Sequence, residues 1–452
     1  MEEIILKRKA YAKLREWKAK YAPDYALFLE GARCVGKTTL AETFGKNEYR
    51  SYIKINFQEA SPSIKELFTD SLTDLDYFFQ ILQVEYKTKL YERESLIILD
   101  DIQFFPLARQ ALKILLEDKR YDYIETGSLA SFAKKSKDNE DLNLSKEYCV
   151  EMFPLDFEEF LWAKEDELTL PIIKERYRKK RPFGEEINRT IMRKWREYMC
   201  VGGMPQAVLA YVRGLDLYKA DLAKRSILEV YRNDIKEQDA ENATYIKNIF
   251  ENIPSELSHH DASGYCLSRV SKNARMREYQ GPLKWLEESM VVNVARNCKA
   301  PSPALKLNLD KQRFKCYLLD VGLLINLSFG DGSFVDNGLY RAILLDDLYV
   351  NEGIFIENVI AQCLRCSSHK IVFYVESNAK NEITMDIDFL IRDGRKVIPV
   401  KVKSNEDFTV KPLKKVKAKF PNRIGLQYVL YEGDVKREGD IVYLPYYMAS
   451  VL

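Results

Sequence analysis

The chain has 452 residues, which at roughly 100–200 residues per domain suggests two to four domains. Hydrophobic residues make up 46% of it and the formal net charge is +2, so cores of ordinary size can form and global charge favours no polyanionic partner. No apolar run approaches the length of about 18 residues that a membrane span needs, and the segment Met1–Lys9 lacks the apolar centre of a signal peptide. The eight cysteines are scattered, as reduced thiols are, so a cytoplasmic protein without membrane contact is expected. Cys363, Cys366 and His369 have metal-like spacing, but no second ligand pair follows, and they read as one face of a helix. With only three histidines (His259, His260 and His369), catalysis by histidine is not expected.

In chain order, residues 10–20 read as a basic helix and Ala26–Glu30 as a short apolar strand, with a helix opening near Lys37. Residues 51–57 read as a second strand. Leu96–Asp100 is a continuous apolar run ending in an acid, the pattern of a central parallel strand. A helix over 107–117 and a strand over 121–126 complete an alternation that predicts a doubly wound α/β domain, with its ligand at the carboxyl ends of the strands. Residues 132–148 are polar and read as a loop. Residues 156–240 read as mainly helical, including a helix around Tyr218–Tyr231. A smaller helical unit runs to about residue 295 and ends in a strand at Val291–Val294. Further strands are expected at 371–376, 386–391, 396–402 and 426–431.

Gly31-Ala32-Arg33-Cys34-Val35-Gly36-Lys37-Thr38 fits the phosphate-loop pattern of glycine, four residues, glycine, lysine and threonine. The loop's N–H groups can converge on phosphate oxygens, and the helix that follows adds positive potential at its N-terminus. Lys37 is expected at the β and γ phosphates and the Thr38 hydroxyl on Mg2+, while Thr39 continues the binding segment into the helix. Asp100, at the end of a buried strand, is expected to hold the water shell of Mg2+. Asp101 would orient the attacking water. Many ATPases carry glutamate there; aspartate is one methylene shorter, so its carboxylate sits roughly 1.5 Å further back. A displacement of that order can cost about a hundredfold in rate. Thr126 and Ser128, in Thr126-Gly127-Ser128 after the next strand, are placed to sense the γ-phosphate, or else to cap a turn.

These residues, and others downstream, resemble the bacterial and archaeal AAA-type ATPases that carry a C-terminal domain of unknown function similar to PD-(D/E)xK nucleases. The resemblance runs through Gly31–Leu40, Leu96–Gln103, Thr126–Ser128, Pro154–Phe160, Gly202–Pro205, Tyr231–Ile235, Tyr317–Leu324, Glu357-Asn358 and Ile387–Phe389. It implies an α/β fold comprising a P-loop AAA-type core (1–165), a helical lid (166–240), a winged-helix-like domain (241–300) and a nuclease-like α/β domain (301–452). Leu283, Trp285, Leu286 and Met290 are expected on one helix of the winged-helix stretch. An arginine usually completes such ATP sites, and Arg232 is one candidate. Relatives have a Gly-Arg pair where this chain has Leu144–Glu151 without arginine.

In the nuclease-like domain the resemblance puts Glu357, Asp388 and Lys403 at metal and lysine positions. Lys401 stands where a glutamate ligand is expected, and Asp386 where relatives have glutamate, so the domain reads as an inactive nuclease fold. The stretch 391–425 has eleven Lys or Arg against three Asp or Glu, a basic surface suited to a phosphate backbone or to solvent alone. The expected function is ATP binding with Mg2+-dependent hydrolysis, coupled to a switch on DNA or a protein partner. The alternative is a nucleotide-gated binding module with little hydrolysis. Guanine specificity is disfavoured, because no Asn-Lys-x-Asp motif is present. Oligomeric state is left open.

Overall fold

The computed structural model describes residues 4–128, 146–259, 264–270, 275–329, 337–345, 352–378, 380, 382–403 and 408–452. The chain falls into two compact units: Lys7–Phe153 with Glu288–Met290, and Met1–Leu6 with Pro154–Glu287 and Val291–Leu452. The boundaries expected at 240 and 300 both fall inside the second unit.

The first unit is built on five parallel strands, β1 (Ala26–Glu30), β2 (Ser51–Asn56), β3 (Ser95–Asp100), β4 (Asp122–Gly127) and β5 (Glu147–Glu151), in the order β2-β3-β4-β1-β5. Every residue of β1, β3 and β4 is buried, as the continuous apolar runs require of strands covered on both faces. The edge strands alternate instead: in β2, Ile53 and Ile55 are buried and their neighbours only half so. The loop expected over 132–148 lies outside the described residues as far as 145; Glu147 and Tyr148 belong to β5, which pairs with β1.

Helices α1 (Ala10–Lys20), α2 (Lys37–Glu48) and α5 (Leu107–Asp118) stand where the sequence pattern puts them. Between β2 and β3 lie two more that pattern reading missed, α3 (Pro62–Asp70) and α4 (Leu75–Glu85). Both start on side-chain caps: Ser61 Oγ accepts from Ile64 N at 3.3 Å, and Asp74 Oδ1 accepts from Tyr77 N at 3.0 Å. A relay of edge-to-face rings, Phe57–Phe68–Phe78–Phe79–Tyr121, packs them against the sheet. In α5, Ala108, Ala111, Leu112, Leu115 and Leu116 form the buried stripe of an amphipathic helix.

The second unit begins with a helical array that includes Phe157–Ala163, Glu185–Val201, Pro205–Val212 and Leu217–Lys236. Two sheets follow. One has the order β7-β6-β8-β9, from β6 (Val292–Cys298), β7 (Leu309–Leu318), β8 (Val372–Ser377) and β9 (Ile383–Ile387). The other has the order β10-β11-β12-β14-β13, from β10 (Phe389–Asp393), β11 (Lys396–Val402), β12 (Gln427–Tyr431), β13 (Lys436–Glu438) and β14 (Ile441–Pro445). The strand expected at 291–294 is thus β6, paired antiparallel with β7 and parallel with β8. The single strand expected at 386–391 is broken at Asp388, and its halves enter different sheets. The break has a local cause: Asp388 Oδ2 accepts the backbone N–H of Val402 at 2.7 Å. The helix Met276–Glu288 buries Leu283 and Leu286, but Met290 lies beyond its end with a φ of 57°. Cys363 and Cys366 lie on the helix Glu352–Cys366, whereas His369 is past its end and contacts the carbonyl of Leu452.

The stretches that carry the resemblance here are packing devices. Pro154–Phe160 is a helix start: Asp156 and Glu159 form a reciprocal capping box, with Glu159 N to Asp156 Oδ1 at 2.9 Å and Asp156 N to Glu159 Oε2 at 3.2 Å. Asp320 is fully buried and accepts from Gly203 N at 2.6 Å, Leu323 N at 3.0 Å and Gln362 Nε2 at 3.2 Å. Asn358 bonds both backbone groups of Leu318, at 2.8 and 3.1 Å. A buried carboxylate is tolerated because its lone pairs are filled. Gly203 lies against Leu155, whose N–H donates to the Gly203 carbonyl at 2.6 Å. A Cβ at Gly203 would collide with the Leu155 carbonyl oxygen. Gly203→Ala is expected to cost about 1–3 kcal/mol by overpacking, read as a lower thermal midpoint. An unchanged midpoint would show that this knot yields without strain.

Candidate functional site

The carboxyl ends of β3, β4 and β1, adjacent in the sheet, bring three loops together. After β1, residues Gly31, Ala32, Arg33, Cys34, Val35 and Gly36 turn into α2, whose first residues are Lys37, Thr38 and Thr39. Cys34 and Gly36 have φ of 67° and 92°, the left-handed conformations that wrap a loop tightly. Gly31 is needed for space: a Cβ there would stand 2.5 Å from the carbonyl oxygen of Met152. No side chain caps α2 at Gly36, so its first N–H groups are not claimed by an N-cap side chain. Lys37 is buried, and its Nζ donates to the loop carbonyls of Gly31 at 2.9 Å and Ala32 at 2.8 Å. Burial lowers its pKa to about 8, with Asp101 and Asp100 pulling the other way.

Asp100 ends β3 and is 1% exposed. Its Oδ1 accepts two hydroxyl hydrogen bonds, from Thr38 at 2.7 Å and from Thr126 at 2.6 Å. Burial raises the Asp100 carboxyl above its ordinary range; the hydroxyls of Thr126 and Thr38 lower it and the neighbouring Asp101 raises it further. A buried acid sharing an oxygen with a threonine hydroxyl is a hard-oxygen donor pair, and this set fits Mg2+. Among the described residues there is no group of three or more His, Cys, Asp or Glu that could hold a metal. Any Mg2+ here would therefore rely on Thr38, Asp100, water and phosphate oxygens.

Asp101 has a left-handed φ of 53°, and its backbone N–H donates to Thr126 Oγ1 at 3.1 Å. Thr126 thus accepts from one acid's backbone while donating to the other's side chain. Ser128 lies just past β4, with its buried hydroxyl lacking a hydrogen-bond partner among the described residues. All the site residues expected from the motifs therefore belong to the first unit, at the carboxyl end of its sheet.

Three further residues, to which the sequence assigns no role, complete the site, although Gln103 closes the stretch Leu96–Gln103. Gln103 Nε2 donates to Asp101 Oδ1 at 2.9 Å. Arg8 donates to the carbonyls of Val35 at 2.9 Å and Phe153 at 2.6 Å, pinning the phosphate loop from behind. Lys54, on β2, pulls the Asp100 carboxyl downward. Only Gln103, two positions from Asp101, lies near enough in sequence to have been suspected. Arg232 is held in the second unit by Glu251 and Glu229, at 2.8 and 2.7 Å.

In the second unit Lys401 Nζ sits between Asp386 Oδ2 at 2.5 Å and Asp388 Oδ1 at 3.0 Å. Lys315, unremarked in the sequence, pairs with Glu357 at 2.9 Å. Burial lowers both lysine pKa values, but the carboxylates more than compensate and leave both raised. Lys403 is exposed. In the basic stretch Lys415, Lys417 and Lys419 are engaged with Thr384, Ile424 and Glu376 respectively, at 3.1, 2.9 and 2.6 Å; residues 404–407 lie outside the described residues.

No helix among the described residues is long and apolar enough to cross a membrane. No curated protein matches the chain. Among solved structures it is similar to a Walker-type ATPase of Pyrococcus abyssi, at 18% identity and a TM-score of 0.40, covering 72% of this chain and 96% of that one. It is also similar to the ORC2 protein of Aeropyrum pernix in its ADPNP–ADP complexes, at 13% identity and a TM-score of 0.38, covering 76% and 95%. Domain III of the Thermotoga maritima replication initiation protein DnaA matches at 17% identity and a TM-score of 0.28, covering 49% and 94%. Three family models match in sequence: an AAA domain at 23–161, and domains of unknown function at 192–333 (DUF8612) and 352–448 (DUF4143). The match to the AAA domain over residues 23–161 thus takes in the part that holds the phosphate loop and the paired acids.

Proposed function

We propose that the protein hydrolyses ATP with Mg2+ and couples the cycle to a conformational switch acting on DNA or a protein partner. The observation that carries this reading is the convergence of Thr38 and Thr126 on one oxygen of Asp100, beside a buried Lys37. The amides of Gly31–Gly36 and the start of α2 would bind the phosphates. Lys37 would leave the carbonyls of Gly31 and Ala32 for the β and γ phosphates. Thr38 and Asp100 would hold Mg2+, which when bound offsets charge on the phosphate oxygens. Asp101 would accept a hydrogen bond from the attacking water and align it, and Thr126 and Ser128 would sense the γ-phosphate. The helices after residue 165 are read as a lid, 241–300 as winged-helix-like, and the C-terminal sheets as a nuclease-like fold without cleavage activity. The second reading, a nucleotide-gated module with slow hydrolysis, is favoured by the short side chain of Asp101.

Purified protein is expected to turn over ATP with Mg2+, and Lys37→Ala to abolish that turnover. Turnover that survives Lys37→Ala would come from elsewhere. Asp101→Glu separates the two readings: a sharp gain in rate supports the slow switch.

ATP affinity should depend on pH in a defined direction. Phosphate binds the charged lysine, and the free protein loses that charge as pH rises through about 8. Binding above this pH must therefore take up a proton, and affinity falls by up to about tenfold per pH unit. Lys37→Met should bind weakly with a flat profile. Wild-type affinity constant from pH 7 to 10, measured by fluorescent-nucleotide titration, would remove Lys37 from phosphate contact.

The C-terminal carboxylates give a third expectation. With Lys401 bound to Asp386 and Asp388, the site holds an ammonium group where a nuclease would hold metal. Linear, circular and single-stranded DNA should stay intact in Mg2+ or Mn2+. Cleavage that Asp388→Ala abolishes would restore the nuclease reading.

A further inference from the structure

Asp101 is held at three points. Its N–H donates to Thr126 Oγ1 at 3.1 Å, its carbonyl accepts from Phe104 N at 3.0 Å, and its Oδ1 accepts from Gln103 Nε2 at 2.9 Å. The first two bonds fix the backbone in its left-handed turn. Neither fixes the carboxylate, because the last torsion of an aspartate side chain is broad. Among the described residues, the bond from Gln103 is the one hydrogen bond that reaches the carboxylate.

The Gln103 amide can be oriented one way only while Asp101 is ionised, since the reversed amide would set two acceptor oxygens against each other. This orientation has a cost: Gln103 Oε1 is buried and has no hydrogen-bond partner among the described residues. An orphaned buried carbonyl oxygen is destabilising and rare in folded proteins. The oxygen faces Gly127, the last residue of β4, where a Cβ would stand 3.1 Å from it and 3.2 Å from Ile102 Cγ2. A bare glycine thus makes room for a glutamine that stability alone would not favour.

We propose that Gln103 is a positioning residue for ATP hydrolysis, holding the Asp101 carboxylate in the single orientation that aligns the attacking water, with Gly127 supplying the space. The inference rests on the ATPase reading above. The shorter acid has less reach than glutamate, so its direction must be set from outside the side chain.

The experiment compares single-turnover and steady-state hydrolysis with ATP affinity in the full-length chain. Wild type and Lys37→Ala come first: if wild type shows no turnover that Lys37→Ala removes, the ATPase reading fails, and this proposal fails with it. Given turnover, Gln103→Leu and Gln103→Glu, neither of which can donate to Asp101 when ionised, should lower kcat about tenfold or more and leave ATP affinity unchanged. Gly127→Ala, which leaves both side chains in place but crowds the amide, should lower kcat in the same direction; its ATP affinity reports that the phosphate loop is intact. In an Asp101→Asn background Gln103→Leu should add little, because its effect passes through the missing carboxylate. An unchanged or raised kcat in Gln103→Leu, or the same fold-loss with and without Asp101, would overturn the assignment while leaving the ATPase reading standing.

Discussion

One carboxylate oxygen holds together the loops at the carboxyl end of the first unit's sheet. Asp100 Oδ1 accepts from Thr38, at the start of α2, and from Thr126, on β4. The two threonines are 88 positions apart by their numbers and converge where β4 lies between β1 and β3 in the sheet. The arrangement is unfavourable in isolation, since burial raises the Asp100 pKa. The folded state then binds a proton more readily than the unfolded chain, so stability is lost as pH rises from the ordinary carboxylate value through the raised one. A hard cation bound beside Thr38 would offset the cost of the charged acid, so cation binding and local stability would be linked at this oxygen.

The second unit also buries an acid and surrounds it with amides. Asp320 is also buried with a raised pKa, but backbone amides of Gly203 and Leu323 and the Gln362 amide fill its lone pairs. Its partners come from distant parts of the sequence, so one acid ties the end of the helix Glu185–Val201 to the helices Val321–Phe329 and Glu352–Cys366. The Gly202-Gly203 pair and the Tyr317–Leu324 stretch, recognisable in sequence, are recognisable because this knot tolerates few side chains. Their information concerns packing and says little about chemistry.

The sequence was most informative where one physical demand acted on adjacent residues. Central strands need apolar side chains on both faces, and β1, β3 and β4 stood out for that reason; the phosphate loop packs its requirements into eight positions. Where a demand is met by residues far apart, the pattern is silent. Lys315 meets Glu357 only through the pairing of β7 and the packing of the helix Glu352–Cys366, and nothing near either residue announces it. Gln103 reaches Asp101 because Asp101 is left-handed, a property of three-dimensional context for any residue but glycine. Helices α3 and α4 were missed although their caps, Ser61 and Asp74, carry local signals. The break at Asp388 was missed because apolar residues continue through it, and only the Val402 N–H reveals the bend.

Charge counting alone would treat the two acidic clusters alike. Asp100 and Asp101 face Lys37; Glu357, Asp386 and Asp388 face Lys315 and Lys401. Both clusters set carboxylates beside lysines, yet their hydrogen-bond partners make them chemically different. Lys401 spends its protons on two carboxylates, and Lys315 on the third, so a cation entering there must displace ammonium groups from ideal counter-ions. Lys37 spends its protons on carbonyl oxygens, and Asp100 is met by hydroxyls. Neutral partners are surrendered at far less cost than charged ones. A polyphosphate with its cation can therefore take Lys37 and Asp100 from their present partners, whereas the C-terminal cluster is already closed by its own lysines.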